Sequence, residues 1–117
     1  MLSLPANVQV YLCTTATDMR KSFDGLTAIV ASAMNKDVLS GHLFLFLNRR
    51  RDRIKLLWWD RDGLAIWMKR LEAGTFETPK SAADQSCLEL DPTQLAMLLS
   101  GVSLESVKRR KRFALAG

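Results

Sequence analysis

Histidine is almost missing from this chain: His42 stands alone among 117 residues, and the two cysteines, Cys13 and Cys87, form no Cys-x-x-Cys pair. A zinc site needs more ligands than these three residues offer at recognisable spacing, so no metal site is expected. No serine or cysteine motif accompanies His42, which reads as a strand-end residue and not as a general base. The cysteines lie beside hydrophobic, strand-like sequence and read as reduced thiols of a cytoplasmic protein. A Gly-rich phosphate loop is also lacking, and no cofactor is implied. The longest apolar run, Leu43 to Leu47, is ended by Arg49, Arg50 and Arg51, far short of the ~18 residues a bilayer span needs. Met1-Leu2-Ser3-Leu4-Pro5 has neither the basic nor the apolar segment of a signal peptide, so neither export nor membrane insertion is expected.

What the chain does contain is enough apolar material for one core, with 48% hydrophobic residues and an ordinary 25% charged. One domain over residues 1–107 is expected, followed by a basic tail over residues 108–117. Seventeen basic residues against twelve acidic ones leave a formal charge of +5, which favours polyanionic partners.

Hydrophobic periodicity sketches the elements. Val8, Val10 and Leu12 alternate with polar or smaller residues, a strand pattern. Thr17 is placed to cap a helix with Asp18 in its first turn, and Met19, Phe23, Leu26, Val30 and Ala33 recur at helical spacing. His42 to Leu47 is apolar on both faces, as in a central strand covered above and below. Asn48 to Asp52 then turn the chain into a second strand, Arg53 to Trp59, which puts Arg49, Arg50 and Arg51 at a hairpin tip. Asp62-Gly63 is a tight-turn signal, and with those two as the central residues Trp58 would oppose Trp67. Leu64 to Leu71 supplies a third strand, although Leu64, Trp67, Met68 and Leu71 also fit a helical stripe. Residues 72–86 read as irregular, and Leu88 and Leu90 as a short edge strand. Asp91, Pro92 and Gln94 suit the N-cap, N1 and N3 positions of a final helix that stops at Gly101. The expected fold is α+β: a small antiparallel sheet, a meander of about three to five strands, with two to three helices packed on it.

More than half of the basic residues fall in two clusters. Arg49, Arg50, Arg51, Arg53 and Lys55 surround the first hairpin, and Lys108, Arg109, Arg110, Lys111 and Arg112 form a run near the C-terminus. A hairpin tipped with arginine can grip phosphates, and a basic run can act as a counterion-releasing arm. The plain alternative is a pair of solvated segments guarding sheet edges. Trp58, Trp59 and Trp67 could stack on unpaired bases, but tryptophan more often buries area in a core. Asp60, Asp62 and Glu72 could be drawn together as a carboxylate metal site, yet turn chemistry already accounts for Asp60 and Asp62.

The order of features resembles the TnpB-type accessory proteins encoded beside the transposase in insertion sequences of the sixty-six class. The resemblance rests on Val10-Tyr11, Asp18-Met19-Arg20-Lys21 with Gly25-Leu26, and Phe44-x-Phe46-x-Asn48-Arg49-Arg50-Arg51-Asp52-Arg53. It continues through Lys55-x-Leu57-Trp58-Trp59-Asp60, Asp62-Gly63, Lys69-Arg70-Leu71-Glu72-x-Gly74-x-Phe76 and Leu98-Leu99-x-Gly101. It implies a bacterial protein that assists transposition, has no assigned catalytic activity and works beside the transposase. Two function classes fit. In one, the protein is non-catalytic and binds element-end DNA through its basic clusters, with Lys69 and Arg70 adding to the hairpin and tail. In the other, it is an adaptor that docks on the transposase or on another copy of itself without touching DNA.

Overall fold

A computed structural model of the protein describes residues 7–78 and 85–101. In chain order it contains β1 (Val10–Cys13), α1 (Phe23–Ser32), a 3-10 turn (Val38–Ser40), β2 (Leu43–Leu47), β3 (Arg53–Asp60), β4 (Gly63–Arg70), β5 (Cys87–Leu90) and α2 (Pro92–Ser100). The strands form one sheet in the order β4-β3-β2-β1-β5. The meander β2-β3-β4 is antiparallel, as its short turns require, and β5 adds antiparallel to the outer side of β1.

The sheet is nevertheless mixed, not purely antiparallel. β1 runs parallel to β2, with Val10 level with Leu43 and Leu12 level with Leu45. Between them the chain passes over one face of the sheet as α1, and such a crossover returns the next strand in the same direction. A period-2 pattern marks a strand but carries no information on which way its neighbour runs.

All five residues of β2 and all four of β1 are buried, because both faces are covered. On one face Val10, Leu12, Leu43, Leu45, Leu47, Ile54 and Leu56 pack with Phe76 and with Leu95, Leu98 and Leu99 of α2. On the other, Tyr11, Cys13, Phe44, Phe46 and Leu57 lie beneath Leu26 and Val30 of α1. Each such side chain removed from water contributes roughly 1.5–3 kcal/mol, which offsets the ordering of the chain. His42 serves this frame: its Nδ1 accepts the Gln9 N–H at 3.0 Å, beside the Leu43 N–H bond to the Gln9 carbonyl. Cys13 and Cys87 are direct cross-strand partners with free thiols, and burial pushes the Cys87 thiol up from its ordinary value.

α2 has the capping box read from its sequence, with the Asp91 carboxylate accepting the Gln94 N–H, the Gln94 side-chain oxygen accepting the Asp91 N–H, Pro92 at the first position and Gly101 left-handed at φ 87°. α1 differs from expectation. It begins at Phe23 behind Ser22, not at Thr17. The Thr17 N–H bonds to the Leu47 carbonyl, and the Asp18 carboxylate takes the Arg20 N–H at 2.9 Å, so residues 17–20 are held as a turn before the helix starts.

The β3-β4 turn also differs. Its central residues are Arg61 and Asp62, closed by the Asp60-Gly63 pair, so Trp58 lies opposite Ala65 and Trp67 opposite Leu56. Gly63 is an ordinary strand residue, and the left-handed conformation falls on Arg61 at φ 58°. That conformation costs an L-residue roughly 1–2 kcal/mol that glycine does not bear. Arg61→Gly is therefore expected to raise stability by up to about 1 kcal/mol, after allowing for the extra freedom of glycine in the unfolded chain. Urea unfolding checks this, and a loss of stability would place an unseen contact on the Arg61 side chain.

Candidate nucleic-acid interface

The arginine hairpin is a braced loop. Asn48 Oδ1 accepts the N–H groups of Asp52 and Arg53, both at 3.1 Å, while its Nδ2 donates to the Asp52 carboxylate at 2.6 Å. The Asn48 and Arg53 backbones close the loop at 3.2 Å, and the Arg51 N–H returns to the Asn48 carbonyl. Arg51 is left-handed at φ 59°. The chain leaving β4 then clamps the loop from behind: the Leu71 N–H bonds to the Asp52 carbonyl and the Phe76 N–H to the Arg51 carbonyl, each at 2.7 Å. Phe76 itself is fully buried, so the clamp is tied to the core. A loop fixed in this way loses little entropy when its side chains meet a ligand.

Arg49, Arg50 and Arg51 are exposed on this loop and Arg53 is half-buried at its base. Among the described residues the ion pairs are Arg20–Asp18 at 2.7 Å and Arg70–Glu72 at 2.8 Å, so none of these four arginines is neutralised there. A cleft of about 490 Å³ opens between the tip and the 16–19 segment, lined by Ala16, Thr17, Asp18, Met19, Asn48, Arg49, Arg50 and Arg53. Arg53 also faces Arg70 directly across β3-β4. Like charges so placed destabilise a sheet, and the Glu72 carboxylate on Arg70 already offsets part of that repulsion.

The other candidate residues are placed less uniformly. Lys55 is not a surface cation. It is 8% exposed, and its ammonium donates to the carbonyls of Met19 at 2.8 Å and Lys21 at 2.7 Å. Its donors are directed at backbone below the surface, so it leaves the set of phosphate contacts and instead holds the entry to α1. Arg70 is exposed near the hairpin but shared with Glu72. Lys69 is exposed on the opposite sheet face, in register with core residue Ile54. Lys108, Arg109, Arg110, Lys111 and Arg112 lie outside the described residues. The three tryptophans are half-buried, with Trp58 and Trp67 packed against the α2-side core. Asp60 and Asp62 sit at one end of β4 and Glu72 beyond the other, so the carboxylate grouping drawn from the sequence is not brought together.

Sequence reasoning missed the second wall of the cleft. Thr17-Asp18 resembles a helix cap, and only the Asp18-x-Arg20 spacing hinted at the side-chain turn that is formed. The side-chain hydrogen bond from Arg20, helped by the Arg20 backbone N–H, lowers the Asp18 carboxyl from 3.8 to about 2. A depressed carboxyl stabilises the fold above its unfolded value, and that contribution is lost as pH falls through about 2. The Asp18 side chain is therefore expected to titrate near that pH by NMR, and to return toward the usual aspartate range in Arg20→Ala. An unchanged titration in the variant would remove Arg20 as the cause.

Residues 8–109 match the family described as IS66 Orf2 like protein. The chain is 36% identical over 102 residues to the uncharacterized protein y4hO of Sinorhizobium fredii, covering 87% of each chain. It is 30% identical over 110 residues to the uncharacterized protein y4jC of the same organism, covering 94% of this chain and 92% of that one. No solved structure matches. With the order of motifs from β1 to α2 and the match running across nearly the whole sheet-and-helix unit, the chain belongs to the IS66 Orf2-like family, accessory proteins of transposable insertion sequences.

Proposed function

We propose that this protein assists transposition by gripping DNA phosphates with its arginine hairpin, without bond-breaking chemistry of its own. The observation that carries the reading is the braced tip itself: Arg49, Arg50 and Arg51 exposed, un-neutralised among the described residues, and held beside a cleft whose lining includes Arg53. Arginine suits the task because its planar donor fork matches phosphate oxygens and never loses its charge. Phosphate contacts position a protein but carry no base code, so sequence preference is left to the transposase of the same element.

The test is binding of the purified protein to element-end and unrelated duplexes at several salt concentrations. Weak binding with little preference between duplexes and a steep loss with salt is the expected result. Tight, sequence-specific binding by the protein alone, or none at low salt, would overturn the reading. No DNA form should be cut in magnesium or manganese, and cleavage abolished by Asp62→Ala would show chemistry that this reading denies.

A further inference from the structure

Among the described residues, the outer edge of β4 is a long strand edge without a pairing partner. β4 runs eight residues in continuous register with β3 and contains neither proline nor bulge. In the sheet it is terminal, and no described residue pairs with its far side. Edge strands are usually blunted by short length, proline, bulges or inward charges, because an open ladder recruits another strand. Here Lys69 and Arg70 lie at one end only.

The hydrogen-bonding direction of each β4 residue follows from one bond. The Leu71 N–H reaches the carbonyl of Asp52, the residue just before β3, so alternation directs Gly63, Ala65, Trp67 and Lys69 inward. Leu64, Ile66, Met68 and Arg70 therefore offer N–H and C=O to the open side. Their side chains lie on the α1 face, where Leu64 and Ile66 are half-buried and Met68 remains 47% exposed. Polar backbone outward and an apolar stripe above it match another β-strand of the same kind.

We propose that this edge pairs with the same edge of a second copy, antiparallel about a two-fold axis at Ile66. Only the even-numbered residues of β4 direct their groups outward, so the allowed registers differ by steps of two. With Ile66 opposite itself, Met68 faces Leu64 of the second copy and Trp67 faces its Ala65. Arg70 then faces Asp62 of the second copy, and the same pair recurs on the other side of the axis. Centring one residue later on Trp67 would set Asp62 against Glu72 and Arg70 against Leu64. Centring one residue earlier on Ala65 would keep an acid, Asp60, opposite Arg70 but set Lys69 against Arg61 and Met68 against Asp62, so charge and apolar matching together select the Ile66 register. Two five-stranded sheets become one of ten, with both α1 helices on one face and the two arginine hairpins at opposite ends. The pairing does not depend on DNA binding.

Sedimentation equilibrium on the full chain, in a concentration series reaching hundreds of micromolar, reads the association directly. The expected result is a monomer–dimer equilibrium. Arg70→Asp or Asp62→Arg alone should each weaken it about tenfold, since the reversal acts twice across the axis, and the double reversal should restore it. Both residues are exposed, so circular dichroism melts should stay near those of the parent. Met68→Pro is a second variant: its N–H faces outward, so it removes ladder bonds to the second copy and none to β3, and the dimer should be lost. A protein that stays monomeric throughout overturns the proposal. So does a dimer indifferent to all three variants, which would use another surface.

Discussion

Lys55→Met is expected to lower stability by roughly 3 to 5 kcal/mol while leaving the salt dependence of DNA binding unchanged. The ammonium makes two charge-assisted bonds, to the carbonyls of Met19 and Lys21, and each such bond is worth about 1.5–3 kcal/mol. Methionine fills much of the same space beside Phe46 but donates nothing, so both carbonyls lose their partner. Against a total stability of about 5–15 kcal/mol this is a large fraction, and the segment before α1 should open first. Urea unfolding measures the loss, and faster amide exchange over residues 17–22 would locate it. A loss under about 1 kcal/mol together with a shallower salt slope would return Lys55 to the surface and to phosphate.

Lys55 also shows where the sequence is legible and where it is not. Its neighbours Ile54, Leu56 and Leu57 marked a strand correctly, and a lysine facing the α1 side among them could have been read as a buried donor. Charge counting placed it with the hairpin arginines instead, because composition does not say which way a side chain points. What it holds, two carbonyls more than thirty residues upstream, belongs to tertiary structure alone. The same lysine explains why the helix stripe that includes Met19 fails as a guide to the start of α1. Met19 is partly buried against the α1-side core as the stripe requires, but from a loop.

Elements set by local chemistry were readable. The capping box and left-handed Gly101 of α2, the buried Leu43–Leu47 strand and the 48–52 turn each depend on residues close in sequence. Elements set by distant partners were not. The parallel pairing of β1 with β2 depends on the path of α1 over the sheet, and the position of β5 beside β1 depends on closing that far edge. The Asp62-Gly63 signal found the right turn one residue off, because a two-residue loop can satisfy its geometry with Arg61 left-handed. That slip in register moved Trp67 from opposite Trp58 to opposite Leu56 but left both on the α2 face, because a partner shift of two residues keeps every side chain on its own side of the sheet. For the candidate interface, the tip arginines were evident from the sequence, whereas the brace behind them, through Leu71 and Phe76, was not.

Replacing Arg49, Arg50 and Arg51 together by alanine is expected to reduce the magnitude of the log-affinity against log-salt slope by roughly 2 to 3 units. Each arginine that neutralises a phosphate releases counterions worth about 0.9 in that slope, and all three project from one braced loop. The fold should survive, because the loop is held by Asn48, by Asp52 and by backbone bonds that alanine retains, and exposed side chains away from such features move stability by about 0.5 kcal/mol or less. Arg51 needs separate attention. Its φ of 59° is no easier for alanine, so Arg51→Gly is the better single control, expected to bind as weakly as Arg51→Ala but to melt higher. Asn48→Ala gives the complementary result. It removes the acceptor of the Asp52 and Arg53 N–H groups but keeps every arginine, so affinity should fall with little change in slope, since the same phosphates are met by a loop that must be ordered first. Affinity at several salt concentrations beside melting curves separates these cases. An unchanged slope and an unchanged melt in the triple variant would remove the hairpin from DNA and leave a protein-docking role for this surface.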